Sequence, residues 1–145
     1  MEGNIELEND QLAITGDFEA DKYEYHHLTE LTEDTYFIDN TSTATYEGEV
    51  NTYGAYDTAT ISMDIDFGAT ANQITNGNID VLTEPGFRFA GSIDQNNHAY
   101  FVGTEGTFGA GGGEFYGNEA NIMKGGLGFT NGTNGIAGDF EASKK

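Results

Sequence analysis

From residue 61 to residue 67 the chain alternates without a break. Ile61, Met63, Ile65 and Phe67 occupy every second position, and Ser62, Asp64 and Asp66 lie between them. An extended chain sends successive side chains to opposite faces. The run therefore reads as a strand with one apolar face toward a core and one acidic face toward water. Other segments follow the same rule. Ala44, Tyr46, Gly48 and Val50 alternate with Thr45, Glu47 and Glu49, and Phe87, Phe89, Gly91 and Ile93 alternate with Arg88, Ala90 and Ser92. Further strands are expected between Gln73 and Val81, over Ala99 to Thr104, Thr107 to Phe115, Ile122 to Phe129 and Ile136 to Glu141. Most connections are short and rich in Asn, Gly and Asp, as in Asp94-Gln95-Asn96-Asn97 and Asn131-Gly132-Thr133-Asn134-Gly135. Hairpin turns require these residue types.

Eight antiparallel strands in up-and-down order can close into a barrel and remove both edges. A sandwich is the competing closure. Glycines inside the strands favour the barrel, because small residues allow tight coiling and close backbone approach. The expected fold is all-β: an eight-stranded antiparallel up-and-down β-barrel over residues 41–145, preceded by a small acidic N-terminal β segment over residues 1–40. The 145 residues suit about one domain. Ten Phe, eight Tyr and a single Pro argue against disorder, and the 21 Gly punctuate the apolar alternation instead of replacing it.

The formal charge is −20. Such a surface repels phosphate backbones and anionic lipid headgroups, which argues against nucleic-acid and anionic-membrane partners. It serves solubility and discourages edge-to-edge association, or it attracts basic partners or cations. The charge is uneven. Residues 1–40 hold 12 acids and one base, Lys22, for a net of −11, whereas residues 41–145 hold 13 acids and four bases, for a net of −9. Within the first 40 residues, Ile5 to Glu8 and Leu12 to Phe18 flank Asn9-Asp10 like a hairpin. Lys22 to Leu28 and Thr35 to Ile38 are candidates for two more strands. The stretch Ile14 to Ala20 nearly repeats at Ile136 to Ala142, which suits two edge strands in similar surroundings.

The chain has no Cys, so disulfides, thiolate catalysis and Cys metal sites are excluded. No apolar run approaches the roughly 18 residues of a transmembrane helix, and no signal peptide is evident. If the native protein is exported, the sequence is a mature part or an excised domain, with Met1 an expression start.

Few constellations carry chemistry. Tyr23, Tyr25, His26 and His27 lie together. Imidazole is a good haem or metal ligand, and Tyr rings can stack on a porphyrin. On a strand, however, adjacent His side chains point to opposite faces, so both rarely reach one metal. His98 sits in a polar turn. Asp64 and Asp66 share one strand face, about 7 Å apart; such a pair suits glycosidase chemistry or Ca²⁺, or simply a solvent-facing acidic strand. Asn40-Thr41-Ser42 and Asn131-Gly132-Thr133 are formal glycosylation sequons that read as turns. Gly109 to Gly113 lacks the Lys-Ser/Thr of a phosphate loop and reads as a bent strand. No nucleophile elbow or metalloprotease motif occurs, and no enzymatic activity is expected.

In the C-terminal half, Gly113-Glu114-Phe115-Tyr116-Gly117-Asn118-Glu119-Ala120-Asn121-Ile122-Met123-Lys124-Gly125-Gly126 resembles the G-x-F-Y-G-x-x-A-x-x-x-x-G-G signature of the transferrin-binding-protein-B-like β-barrel domain. Thr43 to Gly48 is similar to that family's first barrel strand, Asp64 to Gly68 to its V-D-F-G strand, and Phe89 to Ile93 to its F-x-G-x-I strand. Gly135 to Phe140 stands where the family ends G-x-F-G-A, and here the match departs from the pattern. The pieces occur in order over roughly residues 41–145. In this signature Phe115 and Tyr116 would end a strand, with one ring inward and one at the rim. Gly117 and Asn118 would turn the chain. Ala120 and Met123 would form a short helical turn plugging one barrel end, and Gly125 and Gly126 would let the next strand pass closely.

The resemblance implies a non-catalytic binding module of a Gram-negative bacterium. It would be a surface lipoprotein of the outer membrane, with its lipobox outside this sequence, or a secreted protein. It would capture a host or extracellular macromolecule or an iron source, in host interaction, colonisation or nutrient acquisition. An outer-membrane assembly modulator or a TonB-dependent receptor would be a further partner. The resemblance makes the barrel a scaffold, with an N-terminal handle (here residues 1–40) and the barrel loops carrying the ligand. Two alternatives stand beside it: a haemophore binding haem through His26 or His27, and a structural or adhesion module without a discrete ligand.

Overall fold

A computed structural model of the chain describes residues 30–53, 59–81 and 84–145. Among the described residues one short helix, α1 (Thr35–Asp39), precedes eight strands: β1 (Thr43–Thr52), β2 (Ala59–Asp66), β3 (Ile74–Val81), β4 (Glu84–Ile93), β5 (Ala99–Thr104), β6 (Phe108–Tyr116), β7 (Ile122–Thr130) and β8 (Gly135–Lys144). Each strand pairs antiparallel with its neighbour in sequence, and β1 pairs with β8 to close the barrel. The eight expected strands are all present, and the barrel closure is the one observed. Among the described residues no helix is long and apolar enough to cross a membrane.

The period-2 pattern sets which face points inward. Ile61, Met63, Ile65 and, just past β2, Phe67 are buried, as are Tyr46 and Val50 on β1. Phe129 on β7 and Ile136 on β8 are register partners, and both are buried. Ser62, Asp64 and Asp66 take the outward face of β2.

Side chains fill the interior in two aromatic groups. Near α1, the Phe115 ring lies 5.6 Å from Phe37, 5.6 Å from Tyr46 and 5.7 Å from Phe67. Toward the other end, Phe101 lies 4.6 Å from Phe89, 5.9 Å from Phe140 and 6.1 Å from Phe129. Buried Ile61, Met63, Ile79 and Met123 are among the other side chains of the core. Burying each such side chain contributes roughly 1.5–3 kcal/mol.

Thr35 to Ile38 forms helix α1 and not the expected strand. A strand would send Tyr36 and Phe37 to opposite faces. In the helical turn both rings reach Phe67, at 5.5 Å and 6.2 Å. Core packing thus outweighs the local preference of this short segment. The rest of the expected N-terminal β segment, residues 1–29, lies outside the described residues.

The segment before α1 is held by backbone and side-chain bonds. The Thr32 amide donates to the Phe115 carbonyl (2.9 Å), and its hydroxyl donates to the Gly117 carbonyl (2.6 Å). Buried Asn97 clasps the same place. Its side-chain amide donates to the carbonyls of Thr32 (3.2 Å) and Phe115 (3.0 Å), and its Oδ1 accepts from the Phe115 amide (2.7 Å). Asn97 has a φ of 66°, a conformation Asn tolerates better than most residues.

The signature segment behaves as expected at Phe115, which is fully buried, and at Tyr116, which is half-buried at the rim. It departs at Ala120 and Met123. Residues 117–120 make one isolated turn, closed by the Ala120 amide on the Gly117 carbonyl, and Met123 already lies in β7. Ala120 has a φ of 53°, which ends any helical course. Its methyl is fully buried and its carbonyl accepts from the Tyr46 hydroxyl. Burial, with a smaller contribution from Tyr36, raises the Tyr46 pKa, so this phenol stays a donor.

Candidate functional site

Tyr23, Tyr25, His26 and His27 lie outside the described residues. Of the signature residues, Phe115, Tyr116, Gly117 and Ala120 lie at the barrel end and Gly113 and Gly125 at the close β6–β7 contact, whereas a Cβ at Gly126 would meet only Asp139 and Gly138 of β8, at 3.6 Å. The acidic strand pair is engaged in local bonds. Asp66 accepts from the Gly68 amide (3.0 Å), and Asp64 accepts from Asn76 Nδ2 (2.8 Å) and Thr45 Oγ1 (2.7 Å). The sequon asparagines also bend their own turns: Asn131 Oδ1 accepts from the amides of Thr133 and Asn134, and Asn40 Oδ1 from that of Ser42. His98 is partly exposed, 3.5 Å from Asp94 and 3.6 Å from Glu114. Among the described residues no group of three or more His, Asp or Glu is placed to hold a metal ion.

The bonds from Asn76 and then Thr45 hold the Asp64 carboxyl below its ordinary pKa of 3.8. The unfolded chain therefore binds this proton more readily than the folded one. The stabilisation is fully present above the ordinary value and is lost as pH falls through the lowered one. An NMR titration is expected to place the Asp64 midpoint below 3.8. Asn76→Gly should move it back up, since glycine accepts the φ of 53° at that position.

The core is filled by its own rings. Two of the clefts among the described residues are lined by large aromatic side chains, and both open to the outside of the barrel. The first, of about 680 Å³, opens beside α1. Phe37, Ile38 and Phe67 line it together with the polar side chains of Asn40, Gln73 and Gln95. Gln73 is engaged there, exchanging hydrogen bonds of 3.4 Å with the Ile93 backbone. The second cleft, of about 560 Å³, lies at the other end of the barrel, on the outer wall. Tyr53 and Phe108 flank it, and Gly128 and Ala137 line it between them. The Tyr53 amide donates to the Ala137 carbonyl (3.0 Å), and its hydroxyl donates to Asp139 Oδ1 (2.8 Å). Sequence reasoning missed this second cleft. A signal was present: Phe108 is seven residues from inward-facing Phe115, an odd separation that places it on the outer face of β6.

No protein-family model matches the chain, and no curated protein matches it. Solved structures do. The isotype 1 transferrin binding protein B of serogroup B Neisseria meningitidis superposes with a TM-score of 0.59 at 20% identity. A mutant of the vaccine antigen transferrin binding protein B of Haemophilus parasuis Hp5 superposes with a TM-score of 0.55, also at 20% identity. Each comparison covers 79% of this chain and 28% of the other protein. The chain thus has a transferrin-binding-protein-B-like barrel fold and spans little more than a quarter of those proteins.

Proposed function

We propose that this chain is a non-catalytic binding module of a Gram-negative cell-surface or secreted protein, and that it captures a host macromolecule or iron source. One observation carries the reading: a barrel of this fold is filled by its own aromatic side chains, which leaves the outer wall and loops for recognition. The acidic surface favours a basic partner over nucleic acid. Anchoring by a lipid, and pairing with an assembly modulator or a TonB-dependent receptor, belong to the same proposal.

The test is capture from host serum by the immobilised full chain. Enrichment of a defined host protein over a scrambled acidic control is the expected result; enrichment of nothing defeats the reading. Haem capture by His26 or His27, motivated by the neighbouring Tyr23 and Tyr25, makes a different prediction. It requires a Soret shift on haem titration that is lost in His26→Ala or His27→Ala. The capture reading expects no such His-dependent shift.

A further inference from the structure

We infer that the outer-wall cleft between Tyr53 and Phe108 docks an apolar side chain presented among basic residues by a partner polypeptide. This deepens the proposed capture of a host protein and rests on that reading for the class of partner.

The strand register creates the surface. Ala90, Val102, Ala110, Gly128 and Ala137 stand side by side across β4 to β8. The next outward row is Ser92, Tyr100, Gly112, Gly126 and Asp139. Nine of these ten residues are uncharged, on a chain with 25 acids. Of the large exposed apolar side chains, Tyr53, 68% exposed, and Phe108, 63%, line the cleft itself, while Tyr100 and Val102 continue the rows on β5 outside it. Exposed apolar surface gathered in one place marks interaction sites more often than scattered single residues do. Gly128 adds a specific detail. A Cβ there would meet nothing within 4 Å, so packing within the barrel does not require a glycine. Its bareness keeps the cleft deep. The bond from Tyr53 to Asp139 holds one wall in place, which reduces the ordering cost of binding.

Charge selects the occupant. Among the described residues no Lys or Arg lines the cleft. Asp139 lies beside it, Glu141 is two residues further along β8, and Glu105 sits in the turn leading to Phe108. Of the bases on this wall, Lys124 lies over the Tyr116 ring at 5.1 Å and faces Glu141 in the register, and Arg88, whose amide donates to Thr107 Oγ1 (3.0 Å), stands on the β5 side of Phe108 and not among the cleft residues. A second copy of the chain, at −20, would bring acids against acids. The closed barrel has no free edge for an added strand, so contact must be made by side chains.

The probe is a synthetic peptide, Lys-Lys-Phe-Lys-Lys, titrated into the ¹⁵N-labelled full chain. Amide shifts centred on Gly128, Ala137 and Gly109 are expected. They should weaken with salt and by at least about tenfold when glutamates replace the lysines. Phe108→Ser, at an exposed position, should keep the circular dichroism spectrum and abolish the shifts. The inference is overturned by shifts that are absent or centred elsewhere, by equal shifts with the glutamate peptide, or by shifts that survive in Phe108→Ser. A dimer that Phe108→Ser dissociates would also overturn it, in favour of a second copy. Serum capture unchanged by Phe108→Ser would sink the cleft and leave the capture reading standing. Peptide binding without serum capture would do the reverse.

Discussion

Phe115→Ala is expected to destabilise the barrel by about 3–5 kcal/mol, the range for truncating a fully buried Phe. Phe115 is the meeting point of the end beside α1. Its ring touches Phe37 from α1, Tyr46 from β1 and Phe67 after β2. Its amide and carbonyl hold Asn97 and Thr32. The cavity left by truncation borders several separate segments, which cannot all relax into it. Domains have only about 5–15 kcal/mol in total, so the melting temperature should fall by roughly 10–20 °C. Hydrogen exchange at the Thr32 amide should accelerate beyond the global change, because its acceptor sits on the loosened strand. Tyr116→Ala is the control. That ring is half-buried and meets Lys124 at the rim, so it should cost clearly less. Equal losses in a denaturant titration would refute the assignment of Phe115 as the central packing residue.

Gly125→Ala should destabilise the barrel by about 3 kcal/mol or more, at or above the usual upper range for overpacking. A Cβ at Gly125 would overlap the Gly112 carbonyl oxygen and lie 2.6 Å from the Gly113 Cα. These are backbone atoms of β6, and they move only if the strand pair opens. Gly126 differs although it is the next residue. A Cβ there meets Asp139 Oδ1 and the Gly138 oxygen at 3.6 Å, ordinary contact. Gly126→Ala should stay within about 1 kcal/mol, with a gain from the stiffer unfolded chain. Thermal denaturation of the two single variants decides the matter. Similar effects from both would show that the close approach of β6 and β7 is not what requires Gly125.

The barrel is legible in the sequence because its pattern is periodic. The Ile61 to Phe67 run predicts its own inward face, and short Asn- and Gly-rich turns leave neighbouring strands little choice of partner. The strand expected over Ala99 to Thr104 has those same bounds in the structure. Expectation and structure part where local pattern is weak. Thr35 to Ile38 is too short to show a period, and its helix exists because Tyr36 and Phe37 both pack on Phe67. Ala120 is compatible with a helical turn by residue type, but its positive φ follows from the tertiary setting. The outer-wall cleft is invisible to local pattern, because it joins Tyr53 after β1 to Phe108 on β6.

By itself, then, the sequence determined the eight strands, their inward faces and the acidic surface, since each follows from residues close together in the chain. Only the tertiary structure decided that the interior is filled, that residues 31–39 pack at one barrel end and that two distant aromatics border one cleft. Closure of β1 on β8 is the physical reason: it sets side chains far apart in sequence onto common rows, and no local pattern encodes which of them will meet.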